Sequence, residues 1–274
     1  MVDYLYIIAC RKDYKTFSAS CSLVLKNVRA LSFAVVVPDE DYDLFKSSSN
    51  GFRVIKESFI MSGLSDKINI KNIQLRKWYF QQILKIELIA RSPVGKIVLV
   101  WDGDTIPFKK ISLYRKGLFH FYKSEEHHKL YFDTIFNLLG ISKNVNFSFI
   151  SQHIVCKSDW AKLMINCIER NTNKHYINSI VKIANSTSKH AFSEYETLGA
   201  FVSKYFFYEL KFLDSNKWFR FGNTVFHSPY NSACFSSGFD FISFESWEKN
   251  FSMLIRLIIK FIFFTTKFKR IFYL

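Results

Sequence analysis

Val98-Leu99-Val100-Trp101-Asp102-Gly103-Asp104-Thr105 is a run of four apolar or aromatic residues that ends in two carboxylates separated by one glycine. An unbroken apolar run of this length reads as a strand buried on both faces, the pattern of a parallel sheet. Open α/β sheets place their ligands at the carboxyl ends of such strands, so Asp102 and Asp104 are expected at that edge. Two carboxylates around a flexible residue can aim oxygens at one hard cation. Mg²⁺ or Mn²⁺ is usually held by one or two carboxylates together with substrate phosphates. Asp-Gly-Asp is also ordinary turn chemistry. Its place after a hydrophobic strand, in the middle of an α/β pattern, favours the metal–phosphate reading, and Gly103 lets the backbone come close.

Immediately upstream, Arg76 to Ala90 has the spacing of a long helix, ended by Pro93-Val94-Gly95. Gln81, Lys85 and Leu88 share one of its faces, so a Gln/Lys stripe precedes the metal strand. Such a stripe can reach a diphosphate or simply face solvent. Further back, Tyr4 to Ala9 and Leu31 to Val37 read as buried strands, Phe52 to Ile55 as a short one, and Phe17 to Leu25 as a helix. The turn after the first strand, Cys10-Arg11-Lys12-Asp13, lies where doubly wound sheets contact nucleotides. Arg11 suits a phosphate or ribose there and Asp13 a hydroxyl, although a solvated loop explains both equally well.

Downstream, the run from Glu125 to His128 reads as exposed and polar, and Tyr131 to Leu139 as a helix. Asn146 to His153 reads as a strand plus loop, with His153 just past the strand end. It is placed to bond a sugar hydroxyl or to serve as a structural histidine. Ser158 to Arg170 is a helix with Ser158-Asp159 at its cap. Ser193 and Glu196 fit the capping box S-x-x-E, opening a helix that runs to about Leu210. Glu196 therefore has a structural task and is otherwise an acceptor-side candidate together with His153. Glu194 is free of that box and is the better general base. Trp218 to His227 suggests a terminal strand, with His227 a candidate further metal ligand.

The 274 residues are 49% hydrophobic and 22% charged, which excludes wholesale disorder. A net charge of +15 calls for an anionic neighbour: nucleic acid, anionic lipid or a phosphate-bearing substrate. No compact nucleic-acid recognition motif accompanies it, and no nucleic-acid partner is expected. Five cysteines, an odd number without a C-x-x-C pair, suggest neither a disulfide framework nor a zinc site. The first ten residues carry an acid where a signal peptide needs base, and their apolar run is too short, so a cytoplasmic location is expected. Phe251 to Leu274 carries Arg256, Lys260, Lys267, Lys269 and Arg270 and no acid. It reads as a basic amphipathic helix of the kind that lies in an anionic membrane interface, interrupted by Lys260 as a spanning segment.

Taken in order, Arg11-Lys12-Asp13, Val35-Val36-Val37-Pro38-Asp39, Gln81-Gln82-Ile83-Leu84-Lys85, Val98 to Thr105, Ser148 to His153 and Phe192 to Glu196 resemble a bacterial family. Its members are GT-A-fold glycosyltransferases of surface polysaccharide synthesis, and the resemblance covers residues 1–230. It implies an α/β, GT-A-like single domain with a mostly parallel central sheet flanked by helices. A connector at 231–250 and the basic terminal helix at 251–274 would follow. It also implies a divalent cation, Mn²⁺ or Mg²⁺, on Asp102 and Asp104, with a nucleotide sugar, UDP-linked by expectation, as donor. Arg11, Asp13, Gln82 and Lys85 match the donor-binding positions, and His153 and Glu194 the later loops. The acceptor would be a glycan or lipid-linked oligosaccharide, and the enzyme peripheral at the inner face of the cytoplasmic membrane. Two rivals share parts of the pattern. One is a haloacid-dehalogenase-type phosphohydrolase with Asp102 as nucleophile, against which no later acidic pair follows. The other is a non-catalytic basic protein binding membrane or nucleic acid.

Overall fold

The computed structural model describes residues 1–214, 217–233 and 238–271. Cys234, residues 272–274 of the expected terminal helix, and the side chains of Phe264, Lys267, Lys269 and Arg270 lie outside the described residues.

The central sheet has five strands: β1 (Val2–Ile8), β2 (Ala30–Val37), β3 (Arg53–Lys56), β4 (Ile97–Asp102) and β8 (His153–Lys157). Their order is β3-β2-β1-β4-β8, all parallel except β8, which runs antiparallel to β4. The middle strands are apolar on both faces, and Leu5, Ile7, Val35 to Val37 and Val98 to Trp101 are fully buried. The chain winds outward from β1 through β2 to β3, then returns to the other side of β1 with β4. Ligand crevices form where the winding reverses in this way. Here that point lies between the carboxyl ends of β1 and β4, where Ile8 is in register with Asp102.

The helix expected before β4 spans Ile73–Ala90 and starts earlier than the periodicity indicated, because Asn72 caps it. The Asn72 side chain accepts from the backbone N–H of Gln74 (3.0 Å) and Leu75 (3.4 Å). Ser158 does not cap its helix, Ser158–Thr172; its hydroxyl donates to the Pro93 carbonyl at 2.8 Å, tying the helix to the turn before β4. Tyr176–Thr187 is a further helix that the sequence reading did not place.

Two small sheets complete the molecule. One holds β6 (Tyr114–Arg115), β7 (Leu118–Tyr122) and β9 (Leu210–Leu213). The expected helix through Leu210 thus ends at Tyr205, and β9 follows. The other holds β5 (Thr105–Pro107), β10 (Trp218–Phe219) and β11 (Phe241–Ser243). The terminal strand expected over Trp218 to His227 is only two residues long and is followed by a helical turn, Gly222–Val225. The stretch expected as a connector, 231–250, contains β11, which pairs antiparallel with β5. The backbone N–H of Phe244 donates to the Asp104 carbonyl at 2.8 Å, so this late segment is bolted to the Asp-Gly-Asp turn.

The last helix is Met253–Ile271. Phe263 packs on Phe219, Phe226 and Phe239, while Met253, Leu254, Leu257 and Phe261 are exposed. Arg256 is turned inward, its guanidinium donating to the carbonyls of Glu248 and Lys249 at 3.1 and 3.0 Å. Among the described residues, no helix is long and apolar enough to cross a membrane.

Candidate active site

A cavity of about 210 Å³ opens at the carboxyl ends of β1 and β4. Asp102 ends β4 with its backbone N–H donating to the Gln152 carbonyl at 2.9 Å. Gln152 holds φ at +65°, in the left-handed region, so this acceptor is placed at the expense of backbone strain. The Gly103 N–H donates to the Ile8 carbonyl at 2.9 Å. A Cβ on Gly103 would fall 2.6 Å from the Ala9 Cβ and 2.8 Å from that same carbonyl oxygen. Close approach, not an unusual φ, demands glycine here. Trp101 anchors the turn from below, its indole N–H donating to the Thr105 carbonyl at 2.9 Å.

The cavity walls carry six carboxylates, Asp13, Asp102, Asp104, Glu126, Glu194 and Glu245, against three cations, Lys12, Lys85 and Arg220. Acid outweighs base here in a chain whose net charge is +15. Burial, then the charges of Asp102, Asp13 and Glu245, push the Asp104 pKa well above the usual carboxylate range. Burial likewise raises Asp13, with the charge of Asp102 adding to it and Lys12 opposing.

Lys85, only 3% exposed, spans the site. Its Nζ lies 2.6 Å from Asp102 Oδ1 and 2.7 Å from Glu194 Oε1, and donates to the Tyr195 hydroxyl at 3.1 Å. Burial opposes its charge, but Asp102 and Glu194 more than offset it and hold its pKa above the ordinary lysine value. Glu194 opens the helix Glu194–Tyr205, and its N–H donates to Gln82 Oε1 at 3.4 Å. Burial raises the Glu194 pKa, with Lys85 opposing. Glu194 Oε2 is buried with no hydrogen-bond partner among the described residues, an acceptor left for something that enters the cavity.

Of the residues singled out in the sequence, Asp13, Gln82, Lys85, Asp102, Asp104 and Glu194 meet in this cavity. Four others do not line it. Arg11 turns away: its guanidinium pairs with Asp41 at 2.9 Å and its side chain is 72% exposed. The neighbouring Lys12 faces the cavity in its place. Its pKa is raised, against burial, by Asp13, Cys10, Asp104 and Asp102. His153 is not in a loop past a strand but is the first residue of β8, buried and stacked on Trp101 with ring centroids 5.0 Å apart. Burial drives its pKa down to about 3. Glu196 points to the other side of its helix, accepting from the Ser148 hydroxyl and from the Phe149 N–H at 3.2 Å. Only half of the expected capping box forms, the Glu196 N–H donating to Ser193 Oγ at 3.3 Å. His227 follows the helical turn Gly222–Val225 and sits outside the lining residues.

The sequence reading missed Lys12, Glu126, Gln152, Arg220 and Glu245. Arg220 forms a fork with Glu245 (2.8 and 3.1 Å) and pairs with Glu126 at 2.5 Å, joining the polar run before the Lys129–Leu139 helix to the β10–β11 region. Glu126 thus lines the cavity although it lies in the polar run whose composition reads as exposed. Arg220 and Glu245 stand 25 positions apart beside very short strands, a spacing with no periodic signature.

Among the described residues, no group of three or more His, Cys, Asp or Glu side chains is arranged to hold a metal ion unaided. The donor set nevertheless fits a hard divalent cation that takes its remaining ligands from substrate. Asp104 and Asp102 offer carboxylate oxygen at the cavity, and the surplus of acid leaves room for positive charge.

A model described as a family of unknown function, DUF6492, matches residues 17–227. The chain belongs to DUF6492. No curated protein matches this DUF6492 chain. Among solved structures, mouse xyloside xylosyltransferase 1 in its apo form superposes with a TM-score of 0.52 at 9% identity, covering 89% of this chain and 98% of that one. The galactosyltransferase LgtC in complex with donor and acceptor sugar analogs gives a TM-score of 0.43 at 10% identity, covering 95% and 96%. This DUF6492 member therefore has a GT-A-like fold.

Proposed function

We propose that the protein transfers a glycosyl group from a nucleotide sugar, UDP-linked, to a glycan or lipid-linked acceptor, with a divalent cation held by Asp104 and Asp102. One observation carries the reading: both carboxylates of Asp102-Gly103-Asp104 face an acid-rich cavity at the switch point of a GT-A sheet. A donor diphosphate is itself an anion and cannot enter such a cavity without added positive charge. The cation, when bound, supplies that charge and neutralises the leaving diphosphate.

The chain's own residues divide the remaining work. Lys12 stands at the cavity wall as a cation for the diphosphate, and Gln82 offers an amide beside it. Lys85 stays protonated and fixes Asp102 and Glu194 at one ammonium, so neither carboxylate has to reorient when substrate arrives. In an inverting displacement, the acceptor oxygen bonds to the anomeric carbon as the bond to the phosphate oxygen breaks. The hydroxyl proton passes to Glu194 Oε2, the oxygen without a partner. The exposed apolar residues of Met253–Ile271, flanked by Lys260, suit a peripheral contact with an anionic membrane, where a lipid-linked acceptor would be found.

Thermal unfolding with UDP, GDP or CMP, each with and without Mn²⁺, tests the reading on wild type and Asp104→Ala. A ligand at about 100 times its Kd stabilises the folded state by about 2.7 kcal/mol. One nucleotide should raise the melting temperature only with metal, and the variant should lose that rise. A rise that is independent of metal, or that survives in Asp104→Ala, overturns the assignment.

A further inference from the structure

A second cavity, of about 510 Å³, lies at the opposite end of the central sheet. The two ends of β1 line the two cavities, Ile8 the catalytic one and Val2 this one. Six residue steps of strand separate them, about 20 Å. Five cations line the second cavity, Lys26, Arg29, Lys110, Arg115 and Lys116, and no acidic residue does. None of the five is in an ion pair among the described residues. The nearby Asp3 is already engaged by Lys96 at 3.0 Å.

The walls are fixed by backbone. Asn27 Nδ2 donates to the Pro107 carbonyl at 2.9 Å, and the Ile111 N–H donates to the Asn27 carbonyl at 2.8 Å, pinning the segment before β6 to the end of the Tyr14–Asn27 helix. Arg115 and Leu118 pair across a two-residue hairpin turn, in which Lys116 (φ +52°) and Gly117 (φ +80°) are both left-handed. A lysine rarely takes that conformation, and here it is spent on a turn that borders the cavity. The floor is apolar: Val28, Leu99 and Leu113 are buried beneath the charged rim.

We infer that this cavity is a second binding site, for an organic phosphate whose anionic group meets the five cations and whose apolar body rests on Val28, Leu99 and Leu113. Five like charges around one hollow repel one another, and a multiply charged anion turns that repulsion into attraction. The arginine forks at 29 and 115 match phosphate oxygens in pairs. A bare inorganic anion would leave the apolar floor uncovered. The ligand's phosphate can belong to a soluble metabolite or to a lipid headgroup, and the two sources separate by experiment.

Phenyl phosphate is titrated calorimetrically into the full chain in EDTA, using wild type, Arg29→Glu/Arg115→Glu, the milder Arg29→Gln/Arg115→Gln, and Lys12→Glu as a control in the other cavity. A parallel arm measures co-sedimentation of the same proteins with phosphatidylglycerol vesicles. A soluble ligand is indicated by one-to-one phenyl phosphate binding that persists in Lys12→Glu and weakens about tenfold or more per arginine lost. A lipid ligand is indicated when only vesicle binding falls in the arginine variants. Both arginines are exposed, so the melting temperature should hold; if the glutamate pair melts early, the glutamine pair decides. Indifference of both probes to the arginine variants, or loss of phenyl phosphate binding in Lys12→Glu alone, refutes the site.

Discussion

Replacing Lys85 by methionine should cost the fold more than any single surface ion pair can. Methionine keeps the length of the side chain but removes the charge that Asp102 and Glu194 share at 2.6 and 2.7 Å. At an effective dielectric of about 20, each of those attractions is about 6 kcal/mol. Desolvation of the ammonium and repulsion between the two carboxylates offset much of that. Removing one partner of a buried ionic group typically leaves a net loss of about 3–5 kcal/mol. For a chain of this length, that corresponds to a fall in Tm of about 6–20 °C. The loss also has a pH signature. Burial already raises the Glu194 pKa against Lys85, and without Lys85 it climbs further. The folded variant then keeps a proton that the unfolded chain releases near pH ~4.3. Stability gained that way is present at low pH and lost as pH rises, so the deficit of Lys85→Met relative to wild type should be larger at pH 8 than at pH 5. Urea denaturation at both pH values, without divalent metal, measures it. An unchanged midpoint at pH 8, or the same loss at both, refutes the placement of one lysine between two carboxylates.

Two further substitutions probe packing and burial around the site. Gly199→Ala should destabilise the protein by about 1–3 kcal/mol in urea denaturation, because the added Cβ would lie 2.1 Å from the Phe149 ring, which Phe121, Phe147 and Phe212 wall in; the gain of about 1 kcal/mol in helix propensity is too small to rescue it. Burial holds the Glu196 pKa at about 7, up from 4.5, so wild type should lose stability as pH rises through that interval, by about 3 kcal/mol from this residue. Glu196→Gln should flatten that part of the stability profile, and identical pH slopes in the two proteins would refute it.

What the sequence made legible follows from how burial marks residues. β1, β2 and β4 stood out because strands covered on both faces need unbroken apolar runs, and the carboxylates after β4 inherit their place from that run. Lys85 was legible through helical spacing, since the face that carries Gln81 also looks toward the end of β4. His153 was not, because it begins an antiparallel strand whose register against Trp101 depends on pairing 52 residues away in the chain. The choice between Arg11 and Lys12 turned on the direction of a single helical turn, Arg11–Asp13, which composition does not fix. Arg220 and Glu245 reach the cavity from just beyond strands of two and three residues, too short to show any periodicity.

The hydrogen bond between Phe244 and Asp104 gives the site an order of assembly. Its partners are 140 residues apart, and bringing them together closes one of the longer loops in the chain. During synthesis the Asp-Gly-Asp turn therefore emerges well before the segment that secures it. A nascent chain ending at residue 230 would carry every residue of β4 and still lack Glu245 and the backbone clamp on Asp104. The complete cavity wall, with Asp104 clamped and Glu245 in place, should form late in translation, as a step and not by degrees.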